Sequence, residues 1–322
     1  MDIPRPPKKF GADGFIDLVF EGDRGHCSCA NMVHPDGKFF RRVERNCFDE
    51  KMRLDEMKRD GVQTQVLSTV PVLFAYDAKG EAAHYVSSHL NDHLGQLAQN
   101  HPREFKALGT LPMQDVELAT RELQRSMKEL KLSGVMIGTH VGNDNLGDEK
   151  FFEFYSEAEK LGATLFIHPW DMMGKETMSK YWLPWLVGMP AETSRAICSF
   201  IFGGIFKKFS KLKVVFAHGG GSFMGTFARI RHGHRVRPDL CAIDNTDDPI
   251  NSLGKFYVDS LVHDPHVLSQ MVKFFGEDFI LAGSDYPFPL GELPLGGALR
   301  EAQLERIIKE KIAYKNAEKL LR

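Results

Sequence analysis

The chain has 322 residues, 43% of them hydrophobic and 26% charged, enough apolar material for one large core and too much for a disordered chain. A formal net charge of −2 gives no electrostatic reason to expect nucleic acid or an anionic membrane as partner, and no apolar run is long enough to span a bilayer. Five cysteines, an odd number, and an opening Met1-Asp2-Ile3-Pro4-Arg5-Pro6-Pro7 without an apolar stretch point away from secretion and toward a cytosolic globular protein.

Residues 1–47 read as an irregular amino-terminal insertion in which only Gly14–Phe20 resembles a strand. His26, Cys27, Cys29 and His34 have ligand chemistry, but Cys-x-Cys with flanking histidines is no standard zinc spacing, so loop is expected. A helix is predicted from Phe48 to Gly61, with Met52, Leu54 and Met57 on its apolar side and Gly61 as its stop. Strand and helix then alternate. Apolar or β-branched runs occur at Val62–Thr69, Phe105–Pro112, Gly134–His140, Thr164–Trp170, Lys213–Gly220, Phe256–Leu261 and Phe279–Asp285. Helical segments fall at Glu81–Gln99, Val116–Leu130, Glu149–Leu161, Ala191–Phe209, Pro265–Phe275 and Leu299–Leu321.

This alternation predicts parallel βαβ units. Seven strands suit either an open doubly wound sheet or a barrel. Polar, Gly- and Pro-rich residues collect at strand carboxyl ends along the whole chain, at Thr69, Pro112, His140, His168, His218 and Asp285, and there is no Gly-x-Gly-x-x-Gly loop. Both features favour an α/β barrel of the (β/α)8 TIM type with its first strand missing, as one domain over residues 1–322 whose barrel part starts at residue 48.

Three strand ends carry ligand chemistry. Pro169 cannot donate to a ladder, so the strand is expected to stop at His168 and leave its imidazole at the barrel mouth; a core histidine satisfied by the backbone is the alternative. His218 opens the run His218-Gly219-Gly220-Gly221-Ser222, where the glycines permit close backbone approach. A metal ligand, a general base or a helix entry capped by Ser222 all suit that position. Asp285 closes an apolar strand, where a carboxylate is either a turn former or the partner of a cation. Two histidines and an aspartate at strand carboxyl ends match what a catalytic zinc in a barrel uses. The basic stretch Arg229–Arg237, with His232 and His234, reads as a solvated helix end, a site for a carboxylate substrate or a subunit interface. Trp182, Trp185 and Met189 fit a core, with Trp185 kept as a pocket candidate.

Longer stretches carry a resemblance. They include Leu67-Ser68-Thr69-Val70-Pro71-Val72, Leu108-Gly109-Thr110-Leu111-Pro112-Met113-Gln114, Ile137-Gly138-Thr139-His140-Val141 and His168-Pro169-Trp170-Asp171. They continue through Tyr181–Thr193, Ala217-His218-Gly219-Gly220-Gly221 and Ser284–Glu292. From about Phe10 to its end the chain resembles the decarboxylases of the amidohydrolase superfamily, barrels of the metal-dependent hydrolase type.

The resemblance implies a zinc-dependent, oxygen-independent decarboxylation of a dicarboxylate semialdehyde in tryptophan breakdown through kynurenine, which limits quinolinate formation. It also implies a homodimer. By motif it makes His168 and Asp285 zinc ligands, and His218 the residue that activates the zinc-bound water. Arg41, in Phe39-Phe40-Arg41-Arg42-Val43, would hold a substrate carboxylate; Arg229, in Phe227-Ala228-Arg229-Ile230, would be lent across the dimer. The family's first strand carries an Asp-Ile-His-x-His motif with two more ligands. This chain has no His-x-His before His26, and His232-Gly233-His234 falls in a helical region. The expectation is therefore an amino-terminally shortened form that binds zinc weakly and decarboxylates poorly. Two other readings remain: a non-catalytic partner that dimerises with the intact enzyme and lends Arg229, and a related zinc decarboxylase of aromatic acids.

Overall fold

Short strands, not irregular chain, open the described part of the molecule. This computed structural model describes residues 15–21 and 29–321. In it β1 (Asp17–Phe20), β2 (Cys29–Val33) and β3 (Phe39–Glu44) pair antiparallel in the order β1-β2-β3. Ala30, Met32 and Val43 face inward and are buried, while Arg42 and Glu44 are exposed. Cys29, expected in a loop, is a strand residue whose thiol donates to Glu21 Oε2 at 3.1 Å. His26 and Cys27 lie outside the described residues.

Contacts divide the chain into two compact units, residues 1–137 and 138–322. In the first, helix α1 (Glu50–Asp60) starts where the Asp49 carboxylate accepts the Met52 N–H at 2.9 Å, and it ends at Gly61, whose φ of 70° is left-handed. β4 (Gln65–Leu67), β5 (Phe105–Thr110) and β6 (Gly134–Gly138) run parallel in that order, connected through α2 (Gly80–Asn100) and α3 (Val116–Lys128). Met57, Leu67, Leu94, Phe105, Ala107 and Leu132 form one of its cores.

The second unit begins with a small antiparallel pair, β7 (His140–Val141) and β8 (Asp144–Asn145), followed by α4 (Phe152–Leu161). β9 (Thr164–His168), β10 (Lys213–Phe216), β11 (Tyr257–Asp259) and β12 (Ile280–Leu281) then run parallel in chain order, in register Ile167↔Phe216↔Val258↔Ile280. Between them lie α5 (Met189–Phe202), α6 (Ile205–Lys208), α7 (Phe223–Val236), α8 (Pro238–Cys241) and α9 (Pro265–Phe275). α10 (Gly297–Glu301), α11 (Arg306–Glu310) and α12 (Asn316–Leu320) close the chain. The helix expected over 191–209 breaks at Gly203-Gly204, where Gly204 takes a φ of 68° that an L side chain resists.

Leu165, Ile167, Val214 and Phe216 are fully buried on these strands, each such burial stabilising the fold by roughly 1.5–3 kcal/mol. Phe216 packs edge-on against Phe200 and Phe256, with centroids 5.5 and 5.4 Å away. Parallel pairing gives this packed layer its functional consequence: the carboxyl ends of β9 to β12 all leave the sheet on the same side. No helix among the described residues is long and apolar enough to cross a membrane.

Candidate metal centre

β9 ends at His168, as Pro169 dictates. The His168 Nδ1 lies 2.7 Å from the Pro169 carbonyl oxygen. A carbonyl only accepts, so Nδ1 carries the hydrogen and Nε2 keeps its lone pair for another partner. His218 follows β10 with a φ of 55°, and Gly219, Gly220 and Gly221 continue in the left-handed region at 63°, 77° and 62°. A side chain on Gly219 would collide with Val262, and one on Gly221 with the Pro190 carbonyl, so this turn needs glycine twice over. Ser222 precedes α7 without capping it; its hydroxyl instead pairs with the Ser194 hydroxyl at 2.8 Å. Asp285 follows β12 with a φ of 51°.

These three strand ends converge. One ligand atom each from His168, His218 and Asp285 lie within 4.8 Å of one another, and among the described residues no other group of three such side chains does so. His168 Nε2 is 3.8 Å from Asp285 Oδ1, and the two imidazoles meet edge to face with centroids 4.7 Å apart. Tetrahedral zinc with bonds of about 2.0–2.2 Å sets its ligands roughly 3.3–3.6 Å apart. Small side-chain rotations therefore bring this donor set to zinc distances, and its N/N/O chemistry suits a divalent transition metal.

The electrostatics point the same way. Burial, with the neighbouring His168, pushes the His218 imidazole down to about 3, against the opposing pull of Asp285. His218 is thus neutral at pH 7, the form that ligates a metal or accepts a proton. Asp259, which ends β11, is pushed up to about 6 by burial, although it accepts the backbone N–H groups of His218, Gly219 and Leu261 at 2.9, 3.0 and 3.0 Å. Sequence reading passed over Asp259. The available signal was the one that singled out Asp285, a carboxylate closing an apolar strand.

His140 is a second residue whose role emerges only from the contacts. Its Nδ1 and Nε2 face the carbonyls of Gly142 and Asp171 at 2.8 and 3.1 Å, and the Trp170 indole donates to the His140 carbonyl at 3.0 Å. It thereby fixes the loop immediately after His168. The remaining expected site residues are not among the three grouped ligand-type side chains. Trp185 lies half-buried in the helical stretch Pro184–Gly188, 5.9 Å from the Trp182 ring. Arg229 is exposed on α7. Arg41 belongs to the first unit, on β3, with its guanidinium 5.9 Å from the Phe40 ring.

A family model described as amidohydrolase matches residues 24–322. The chain is 50% identical over 307 residues to the 2-amino-3-carboxymuconate-6-semialdehyde decarboxylase of Dictyostelium discoideum, covering 95% of this chain and 82% of that one. Among solved structures it is similar to 5-carboxyvanillate decarboxylase of Sphingomonas paucimobilis, at 25% identity and a TM-score of 0.76, over 84% of this chain and 82% of that one. It shares its fold with a dihydroxybenzoic acid decarboxylase of Polaromonas, solved with manganese and the inhibitor 2-nitroresorcinol, at 23% identity and a TM-score of 0.74 over 85% of each chain. The chain therefore belongs to the amidohydrolase family, has the (β/α) barrel fold of the metal-dependent hydrolases and is one of the family's decarboxylases.

Proposed function

We propose that this protein is a zinc-dependent, oxygen-independent decarboxylase that converts 2-amino-3-carboxymuconate 6-semialdehyde to 2-aminomuconate 6-semialdehyde. The step belongs to tryptophan degradation through kynurenine and limits quinolinate formation. The protein acts as a single barrel domain and as a homodimer in the cytosol. The observation that carries this reading is the convergence of His168, His218 and Asp285 within 4.8 Å in a chain 50% identical to the slime-mould decarboxylase of that name. Manganese in the Polaromonas relative supports a metal, and the free thiols of Cys29, Cys47, Cys198 and Cys241 suit a reducing compartment.

In this reading His168 and Asp285 would hold the cation, which would supply Lewis acidity to the reacting substrate. His218, neutral because burial disfavours its imidazolium, takes a proton on a ring nitrogen and returns it. The bond to the departing carboxylate breaks heterolytically, CO2 leaves, and the electron pair left on carbon receives a proton, so no oxidant is needed. Arg41 and Arg229 pair with the substrate's carboxylates, Arg229 across the dimer, and Trp185 lines the pocket.

A second reading, decarboxylation of an aromatic acid, is favoured by the carboxyvanillate and dihydroxybenzoate relatives. CO2 release from the semialdehyde, 5-carboxyvanillate and 2,6-dihydroxybenzoate by the same preparation separates the two. The first reading predicts slow turnover of the semialdehyde alone, lost on chelation and restored by zinc. Turnover of an aromatic acid in preference to the semialdehyde would overturn it.

A further inference from the structure

The turn that presents His218 is held from outside its own strand. The Asp259 Oδ2 accepts the His218 N–H at 2.9 Å, and Oδ1 accepts both the Gly219 N–H and the Leu261 N–H at 3.0 Å. Next to it, the Ser260 hydroxyl accepts the Gly283 N–H at 3.3 Å, two residues before Asp285. The corner at the end of β11 is thus tied to the backbone of both neighbouring strand ends. Those are the two places where His218 and Asp285 sit with φ of 55° and 51°, a conformation that costs a non-glycine residue about 1–2 kcal/mol. Room for this corner is specific as well: a Cβ on Gly283 would stand 2.6 Å from the Asp259 Cβ.

We infer that Asp259 is the positioning residue that holds His218 in this strained conformation and so aims its imidazole at His168 and Asp285. A turn former alone would need only the bond to Leu261. The other two bonds reach amides 40 and 41 residues away and close on the histidine itself. A carboxylate is required because both of its oxygens accept. An asparagine turned to satisfy Gly219 and Leu261 points its NH2 at the His218 N–H, donor against donor. Burial resists charge on Asp259, and the three amides oppose that resistance.

The inference rests on His218 acting as the base in the proposed decarboxylation, so the test treats both residues together. Turnover of the semialdehyde is measured for the parent protein, Asp259→Asn, His218→Ala and the double variant, with thermal unfolding to establish folding. Asp259→Asn is expected to lower kcat by about 10- to 100-fold with KM within about threefold. The double variant should be no slower than His218→Ala alone, because Asp259 acts through that imidazole. Parent-like turnover in Asp259→Asn, or a double variant slower than His218→Ala by the full Asp259→Asn factor, overturns the inference. Parent-like turnover in His218→Ala instead removes the base role on which it rests. Should Asp259→Asn fail to fold, Asp259→Glu replaces it. That variant keeps the charge and both acceptors a methylene further out, and the same non-additivity with His218→Ala is expected; additivity overturns the inference there too.

Discussion

Glu122 in the first unit and Asp259 in the second are both nearly enclosed, at 1% and 5% exposure, yet their surroundings move them in opposite directions. Burial alone would raise the Glu122 carboxyl. Hydrogen bonds from His84, Arg125 and Asn91 outweigh that and hold it down at about 2. Arg125 Nη2 donates to it at 2.8 Å and Asn91 Nδ2 at 2.6 Å, both from side chains on α2 and α3. Asp259 has only backbone amides for donors, and burial prevails, leaving it at about 6. The first carboxylate sits in a network closed by its own cation, and its contribution is stability. The second fixes a backbone beside two histidines and a further carboxylate, where burial works against its charge. A buried carboxylate is lowered where charged and amide side chains donate to it, and raised where burial outweighs backbone amides alone.

The largest effect that tests this contrast lies in the second unit. Asp285→Ala should abolish metal retention and lower decarboxylation at least about 1,000-fold, the rate equivalent of several kcal/mol of Lewis-acid stabilisation. Metal analysis and CO2 release on the same sample check it, and a metal-loaded, active variant would break the contrast.

In the first unit the effect should fall on stability alone. Glu122→Gln, by breaking a buried charged pair, is expected to cost about 3 kcal/mol in urea unfolding, with turnover per folded molecule unchanged. The same residue predicts a pH dependence. Its folded value of about 2 lies below the unfolded 4.5, so its stabilisation is complete above 4.5 and fades as pH falls toward 2. About 3 kcal/mol should therefore disappear over that window in the parent protein and not in Glu122→Gln. Equal slopes in the two proteins would show that another group carries the dependence.

The smallest effect concerns a cap. The Asp264 carboxylate accepts the N–H groups of His266 and Val267 at 2.8 and 2.9 Å at the start of α9. Asp264→Ala should cost about 1 kcal/mol in the same unfolding assay and leave turnover unchanged.

Much of the architecture was legible because parallel strands are buried on both faces and read as continuous apolar runs. The end of β9 was legible to the residue, because Pro169 removes a donor. The sheet of β1 to β3 was not. Val19 and Phe39 are 51% and 64% exposed, so apolar residues sit on its open face and blur the alternation on which a strand is read. His168, His218 and Asp285, which the structure brings together, could be picked out because each is a ligand type closing an apolar strand. Asp259 closes an apolar strand as Asp285 does, but its role was not legible, because it holds backbone amides 40 and 41 residues away that leave no trace in a residue pattern. The break at Gly203-Gly204 could be suspected from the glycines, but its location follows from packing against Gly147 and Ser199.

The central claim, that His168 and Asp285 hold a metal beside the base His218, is tested most directly by zinc affinity. Competition against a chromophoric chelator would be measured for the parent protein and for Asp285→Ala. The account predicts saturable zinc binding by the parent at a single site, weakened at least about 100-fold in the variant. Equal affinity in the two proteins would place any bound zinc elsewhere and contradict the assignment.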